Sequence, residues 1–176
     1  MDGMEPLLRV YFDVDGVLSP ITNDDTRPAA ETRWGWSAES RREGYAIWDV
    51  AWSAELIDQV NSLTTLPGVE TIWNTSWDET AVCFGELVGL VGCDTWRVAD
   101  TSRTNSDTWA KWANVKGDYD QNPVPFIWVD DHLSRKRAAT SWVKSVGGLH
   151  LSPETHVGLT PQHLRKMREF AADVIG

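Results

Sequence analysis

Leu7-Leu8-Arg9-Val10-Tyr11-Phe12-Asp13-Val14-Asp15-Gly16-Val17-Leu18 is an apolar run that ends in two acids one residue apart, with a glycine directly after them. A run of Val, Tyr and Phe with little charge predicts a buried strand of a parallel sheet. The acids come where that strand stops, and open α/β sheets place their ligands at the carboxyl ends of their strands. Strand alternation sends Asp13 and Asp15 the same way, with Val14 opposed. Two carboxylates so close repel each other unless a cation or a proton sits between them. The plain alternative is an Asp-Gly turn after a strand, with Asp15 as a cap. The rest of the chain decides between them.

Working outward, the segment after Leu18 is rich in turn formers (Ser19-Pro20-Ile21-Thr22-Asn23-Asp24-Asp25) and predicts a loop leaving the sheet. Residues 33–50 hold Trp34, Trp36, Tyr45, Ile47 and Trp48 around the polar run Glu39-Ser40-Arg41-Arg42-Glu43-Gly44. That pattern predicts a small β-hairpin, placed to cover the strand end as a flap or to pack on its own tryptophans. Leu56, Ile57, Val60 and Leu63 share one helical face behind a Ser53 cap, and Pro67-Gly68 stops that helix. Val69-Glu70-Thr71-Ile72-Trp73-Asn74 reads as a second strand running into Thr75-Ser76. A helix over residues 79–90, a short strand at 95–99 and a helix opening at Ser106-Asp107 and containing Trp109, Lys111 and Trp112 follow. Phe126-Ile127-Trp128-Val129 is the second strong strand signal, and it stops at Asp130-Asp131. Residues 133–143 predict a helix and residues 147–151 a last strand. Thr160-Pro161 opens a final helix through Leu164, Met167, Phe170 and Val174. Strands alternating with helices predict an α/β fold: a doubly wound, mostly parallel, Rossmann-like sheet of about five strands. No repeat, linker or low-complexity stretch interrupts residues 1–176, so a single domain with a small flap is expected.

The bulk composition narrows the function classes. With 176 residues, the chain is long enough for one substantial core. Its two cysteines, Cys83 and Cys93, have no metal-ligand spacing and form no disulfide framework, which fits a reducing, cytoplasmic setting. No secretory signal pattern opens the chain, and no stretch approaches the ~20 apolar residues of a membrane span. A net charge of −10 argues against a broad, nonspecific nucleic-acid surface. The charge is uneven, however. From His132 onward there are seven Lys/Arg against three Asp/Glu, a local +4, so the remainder is −14. That basic quarter reads as a solvated helix face or as a surface beside an anionic substrate.

Four features fall at or near strand ends, in order: Asp13-x-Asp15-Gly16, Thr75-Ser76, Lys111 and Asp130-Asp131. This series resembles the four motifs of the haloacid dehalogenase-like phosphohydrolases. More narrowly, residues 11–18, Ile72-Trp73-Asn74-Thr75-Ser76-Trp77, Trp128-Val129-Asp130-Asp131 and Gly158-Leu159-Thr160 look like the domains of this type associated with RNA-repair proteins.

The resemblance implies a mechanism. Asp13 would attack the phosphoryl group and become an aspartyl-phosphate. Asp15 would protonate the leaving oxygen and later take a proton from water. The implied cofactor is Mg²⁺, held by the Asp13 carboxylate, the Asp15 backbone carbonyl and Asp130, with Asp131 a ligand directly or through water. Such a hard cation prefers oxygen donors. Thr75 would hold the transferred phosphoryl group, with Ser76 the rival should the strand end shift by one. Lys111 would neutralise charge on the phosphoryl oxygens and Asp13, with Lys116 the competitor. A side chain at Gly16 would crowd the turn beneath the phosphate. His132 reads as a loop residue near the metal, since Mg²⁺ does not favour imidazole. His150, His156 and His163 share no short spacing and receive no role.

The larger members of that group insert a full cap domain, whereas the gaps here hold only a loop, a hairpin and single helices. The chain therefore resembles the minimally capped members, whose open sites admit macromolecules, or small molecules when another chain closes the site. The expected activity is a Mg²⁺-dependent phosphomonoesterase acting on a terminal phosphate of a nucleic acid or nucleotide. The alternatives are a small-molecule phosphatase such as a nucleotidase, and a catalytically idle binding domain. Trp34, Trp36 and Trp48 in the expected flap could stack on a base or sugar. Trp73, Trp77, Trp112, Trp128 and Trp142 read mainly as packing.

Overall fold

A computed structural model describes residues 5–22, 35, 50–102 and 109–176. The expected hairpin at 33–50, with Trp34, Trp36 and Trp48, lies outside the described residues apart from its margins, as does the helix start expected at Ser106-Asp107.

Among the described residues, five strands form one sheet: β1 (Leu8–Phe12), β2 (Val69–Trp73), β3 (Arg97–Val98), β4 (Phe126–Val129) and β5 (Leu149–Leu151). Their spatial order is β3-β2-β1-β4-β5, and every pair is parallel, more uniform than the mostly parallel sheet expected. Helices cover both faces, as strands buried on two sides require. On one face α1 (Ala54–Thr64), α2 (Thr80–Val88) and α5 (Pro161–Ile175) pack on Leu8, Val10, Phe12, Trp73, Ile127 and Val129. On the other, α3 (Ala110–Gln121) and α4 (Arg137–Ser145) cover Tyr11, Ile72, Phe126 and Trp128. No helix among the described residues is long and apolar enough to cross a membrane. Cys83 and Cys93 are both free thiols.

The helix ends follow local chemistry. Ser53 Oγ accepts the Leu56 N–H at 3.3 Å and caps α1, as its position predicts. At α5, Thr160 caps the helix and Pro161 takes its first position. His163 completes the cap, because its Nδ1 accepts the Thr160 N–H at 3.2 Å. The expectation of no role for His163 is thus corrected to a structural one.

Two helix boundaries also differ from expectation. Trp109 has extended backbone (ψ 117°), so α3 begins at Ala110 and Trp109 stands outside it. The helix expected over residues 133–143 is broken in two: Leu133–Arg135 is a 3₁₀ turn, Lys136 leaves helical geometry, and α4 starts at Arg137. Apolar spacing alone does not reveal such a break, because both pieces bury the same side, with Leu133, Ala139 and Val143 all in one cluster.

The strand order sets the site. β1 leads to β2 on one side and β4 returns on the other, so the order reverses between β1 and β4. Ligands of open α/β sheets bind at such a switch point. Phe12 pairs with Val129, which puts Asp13 and Asp130 side by side just beyond the sheet.

Candidate active site

The chain stops being a strand at Phe12, before either acid, whereas alternation would need it to run on to Asp15. The Asp13 N–H still donates to Val129 O (3.1 Å), but the next residues curl. Val14 O accepts N–H groups from Val17, Leu18 and Ser19 at 3.0–3.2 Å. Asp13 and Asp15 are therefore placed by a tight loop and not by the strand alternation expected. Gly16 makes that loop possible, with φ at +69°. A Cβ there would stand 2.8 Å from Cγ and Oδ2 of Asp131, so the first acidic loop and the second are in contact at this glycine.

Lys111, in the first turn of α3, supplies the cation that the opening acids require. It is buried, and its Nζ bonds Asp13 Oδ2 and lies 2.8 Å from Asp130 Oδ2. Asn74, at the end of β2, donates through Nδ2 to Lys111 O at 3.1 Å, so the strand end anchors the helix start. Burial alone would discharge the ammonium, but Asp13 and Asp130 outweigh it and hold the Lys111 pKa above its usual value. The competitor Lys116 lies further along α3, where it pairs with Asp120. Lys111 alone of the two reaches the acids.

Asp130 is fully buried, and His132 N donates to its Oδ1 at 2.8 Å. Burial pushes its pKa up to about 6, with Lys111 opposing and Asp13 adding to the rise. Asp131 is also buried. Its Oδ2 accepts the Thr155 hydroxyl at 2.5 Å, and its backbone carbonyl accepts Ser152 Oγ at 2.9 Å. His132 is exposed, with Nε2 3.8 Å from Asp131 Oδ2. One ligand atom each from Asp130, Asp131 and His132 fits within 4.8 Å, which makes this the acid-rich corner of the site.

Asp15 is only partly buried, and the indole Nε1 of Trp77 donates to its Oδ2 at 2.8 Å. Burial raises its pKa; the Trp77 bond favours the ionised form, and Asp13 works against it. Thr75 is fully buried at the end of β2, with Oγ1 accepting the Trp77 N–H at 3.3 Å. Ser76 is exposed. Three contributors carry no motif in the sequence: Trp77, expected to serve as packing, and Thr155 and Asn74. Trp77 follows the Thr75-Ser76 pair directly, and that adjacency was the only signal available for it.

The charge balance tests the fit to a divalent cation. Asp13, Asp130 and Asp131 are three buried carboxylates, against the single buried ammonium of Lys111. If all three are ionised, two negative charges remain, and all the donors are oxygen. That set suits Mg²⁺.

Comparison with known proteins supports the architecture. The structure superposes on the HAD domain of the effector protein Lem4 from Legionella pneumophila with a TM-score of 0.50. The two are 12% identical, and the match covers 97% of this chain and 95% of that one. The chain thus has the haloacid dehalogenase-like fold. At this identity the likeness speaks for the fold alone. No protein-family model and no curated protein matches the chain.

Proposed function

We propose that residues 1–176 form one phosphatase domain that hydrolyses a phosphomonoester, using Mg²⁺ as cofactor and a terminal phosphate of a nucleic acid or nucleotide as substrate. The observation that carries this reading is the Lys111 ammonium between Asp13 and Asp130, at the switch point of a parallel sheet. Asp13 Oδ attacks phosphorus, and the bond from phosphorus to the leaving oxygen breaks. Protonated Asp15 gives its proton to that oxygen. The direction of its pKa, raised chiefly by burial, favours carrying the proton. Asp15 then takes a proton from water as the water attacks the phosphorus of the Asp13 acyl phosphate; the bond from Asp13 Oδ to phosphorus breaks, inorganic phosphate leaves and the Asp13 carboxylate is restored. Lys111 offsets charge on Asp13 and on the transferred oxygens. Thr75, at the end of β2, offers its hydroxyl and backbone N–H to the phosphoryl group, and Gly16 leaves room for the turn below it.

Asp13, Asp130, Asp131 and the Asp15 carbonyl would hold Mg²⁺, which would polarise the phosphoryl oxygens. Trp77 holds Asp15 in place, and Thr155 does the same for Asp131.

The test is a phosphate-release panel covering 5′- and 3′-phosphorylated oligonucleotides, mononucleotides and small phosphomonoesters, with and without Mg²⁺ and with Asp13→Asn as control. Mg²⁺-dependent release that disappears in Asp13→Asn is expected. Unchanged turnover in that variant overturns the mechanism. Activity confined to mononucleotides removes the polymer substrate, and no release from any substrate leaves an idle binding domain.

A further inference from the structure

A cavity opens among residues that neighbour Lys111 and Asp131 along the chain. It measures about 230 Å³ and is lined by Trp109, Trp112, Lys136, Arg137, Ala138 and Ala139. Trp109 and Trp112 flank Lys111 in sequence, and Lys136 follows Asp131 after the single 3₁₀ turn Leu133–Arg135. The elements that carry the acids therefore carry this cavity too. Its walls are aromatic and its charges are positive. Trp109 stacks on Trp128, with centroids 5.1 Å apart and an interplanar angle of 27°. Lys136 Nζ stands 5.3 Å from the Trp109 ring centroid, which fixes where that ammonium sits. The Trp112 indole N–H is buried and has no acceptor among the described residues.

The cations are misplaced for a purely structural role. Arg135, Lys136 and Arg137 are consecutive and exposed, and no carboxylate among the described residues pairs with them. They stand at the N-terminus of α4, where the helix dipole disfavours positive charge and no side chain caps the first turn. Three cations without a carboxylate partner among the described residues, at an uncapped helix start in a chain of net charge −10, favour an anion at this place.

We infer that this cavity receives the nucleotide next to the hydrolysed phosphate: its ring lies against the indole walls, and its phosphate meets Lys136, Arg137 and the first turn of α4. The inference rests on the phosphatase reading above and names the polymer as single-stranded nucleic acid. A phosphopeptide needs one anion site, which Asp13 and Lys111 already surround. Nucleic acid puts an anion and a planar ring in every unit, matching a second site made of both.

The experiment compares wild type with Lys136→Ala/Arg137→Ala, both exposed positions whose loss leaves the core untouched. The substrates are terminally phosphorylated single strands of about ten nucleotides, within the span such sites occupy, a phosphoserine peptide and 4-nitrophenyl phosphate. kcat/KM on the oligonucleotide should fall about tenfold further than on 4-nitrophenyl phosphate, through KM, and the salt slope of binding should shrink by about one unit. Equal losses on both substrates, or an equal extra loss on the phosphopeptide, overturn the inference. A separate titration follows the anisotropy of a fluorescein-labelled strand in the Asp13→Asn background, where no turnover is needed. Weaker binding on removing the two cations supports the nucleotide site even if phosphate release fails. Unchanged binding rejects the site even if release succeeds.

Discussion

The two ends of α3 each meet a cluster of charged side chains, and the clusters are built on opposite principles. Near its last turn, Asp118 receives the Tyr11 hydroxyl at 2.8 Å and Arg97 Nη2 at 2.5 Å. Arg9 pairs with Glu70 at 2.8 Å and donates to the carbonyls of Asp118 and Asn122 at 3.3 and 2.9 Å. Two arginines face two carboxylates, and the arginine at the helix C-terminus suits the dipole. Every charge there is matched. At the first turn of α3, three buried carboxylates face one lysine. The first network closes its own balance, whereas at the sheet's switch point three buried carboxylates outnumber the one buried ammonium.

That contrast can be broken in several places. Asp13→Asn should abolish phosphate release by at least about 10³-fold while the protein stays folded, read from single-turnover kinetics and circular dichroism. Retained activity would put the nucleophile elsewhere. Next in size, Lys111→Met leaves Asp13 and Asp130 buried without their cation. Without metal it should cost about 3 kcal/mol in urea unfolding, and Mg²⁺ should recover more stability in the variant than in wild type. A wild-type-like urea midpoint would show that the acids are held by something other than this ammonium.

At the balanced end, Arg9→Met should destabilise by about 2 kcal/mol, through the lost bonds to Glu70 and two carbonyls (Glu70 keeps Arg97 Nε at 3.7 Å), with kcat per folded molecule unchanged. A drop in kcat would mean that the two clusters communicate along α3. Thr155→Val removes one hydrogen bond from Asp131 and should weaken Mg²⁺ about tenfold in calorimetric titration, with little loss of stability. Equal affinity would place Asp131 outside the metal's reach.

The smallest effect concerns pH. Burial, then Asp118, raises the Tyr11 phenol above its usual pKa. The folded protein keeps that proton where the unfolded chain, titrating near 10, gives it up. Tyr11 should therefore leave stability unchanged below about pH 10 and lower it as pH rises beyond. Tyr11→Phe should flatten that part of an alkaline stability profile, and an unaltered slope would assign it to another group.

The features readable from sequence share one property: each is local or repeats along the chain. The apolar run before Asp13, the run before Asp130 and the Thr160-Pro161 start all announce themselves within a few residues. Room for a helix between it and Asp130 favours Lys111 over Lys116 in the sequence, and of the two the structure brings Lys111 to the acids. Contacts between distant segments were not readable. Trp77 meets Asp15 across 62 residues, and Thr155 meets Asp131 across 24. No periodicity encodes such pairs, since they exist only once the parallel strands have registered. The break at Lys136 was hidden because apolar spacing continues through it, and it positions the cations of the Trp109 cavity.

The lengths of the outer strands have a consequence for solubility. The inner strands β1, β2 and β4 run for five, five and four residues, while the edges β3 and β5 have two and three. Exposed edges are templates on which another chain can add a strand, and short ones offer few bonds to such an intruder. Where β3 stops, the open margin of β2 carries Glu70, already engaged by Arg9. Among the described residues, a sheet with a core strand as apolar as Phe-Ile-Trp-Val thus offers an incoming strand only short borders.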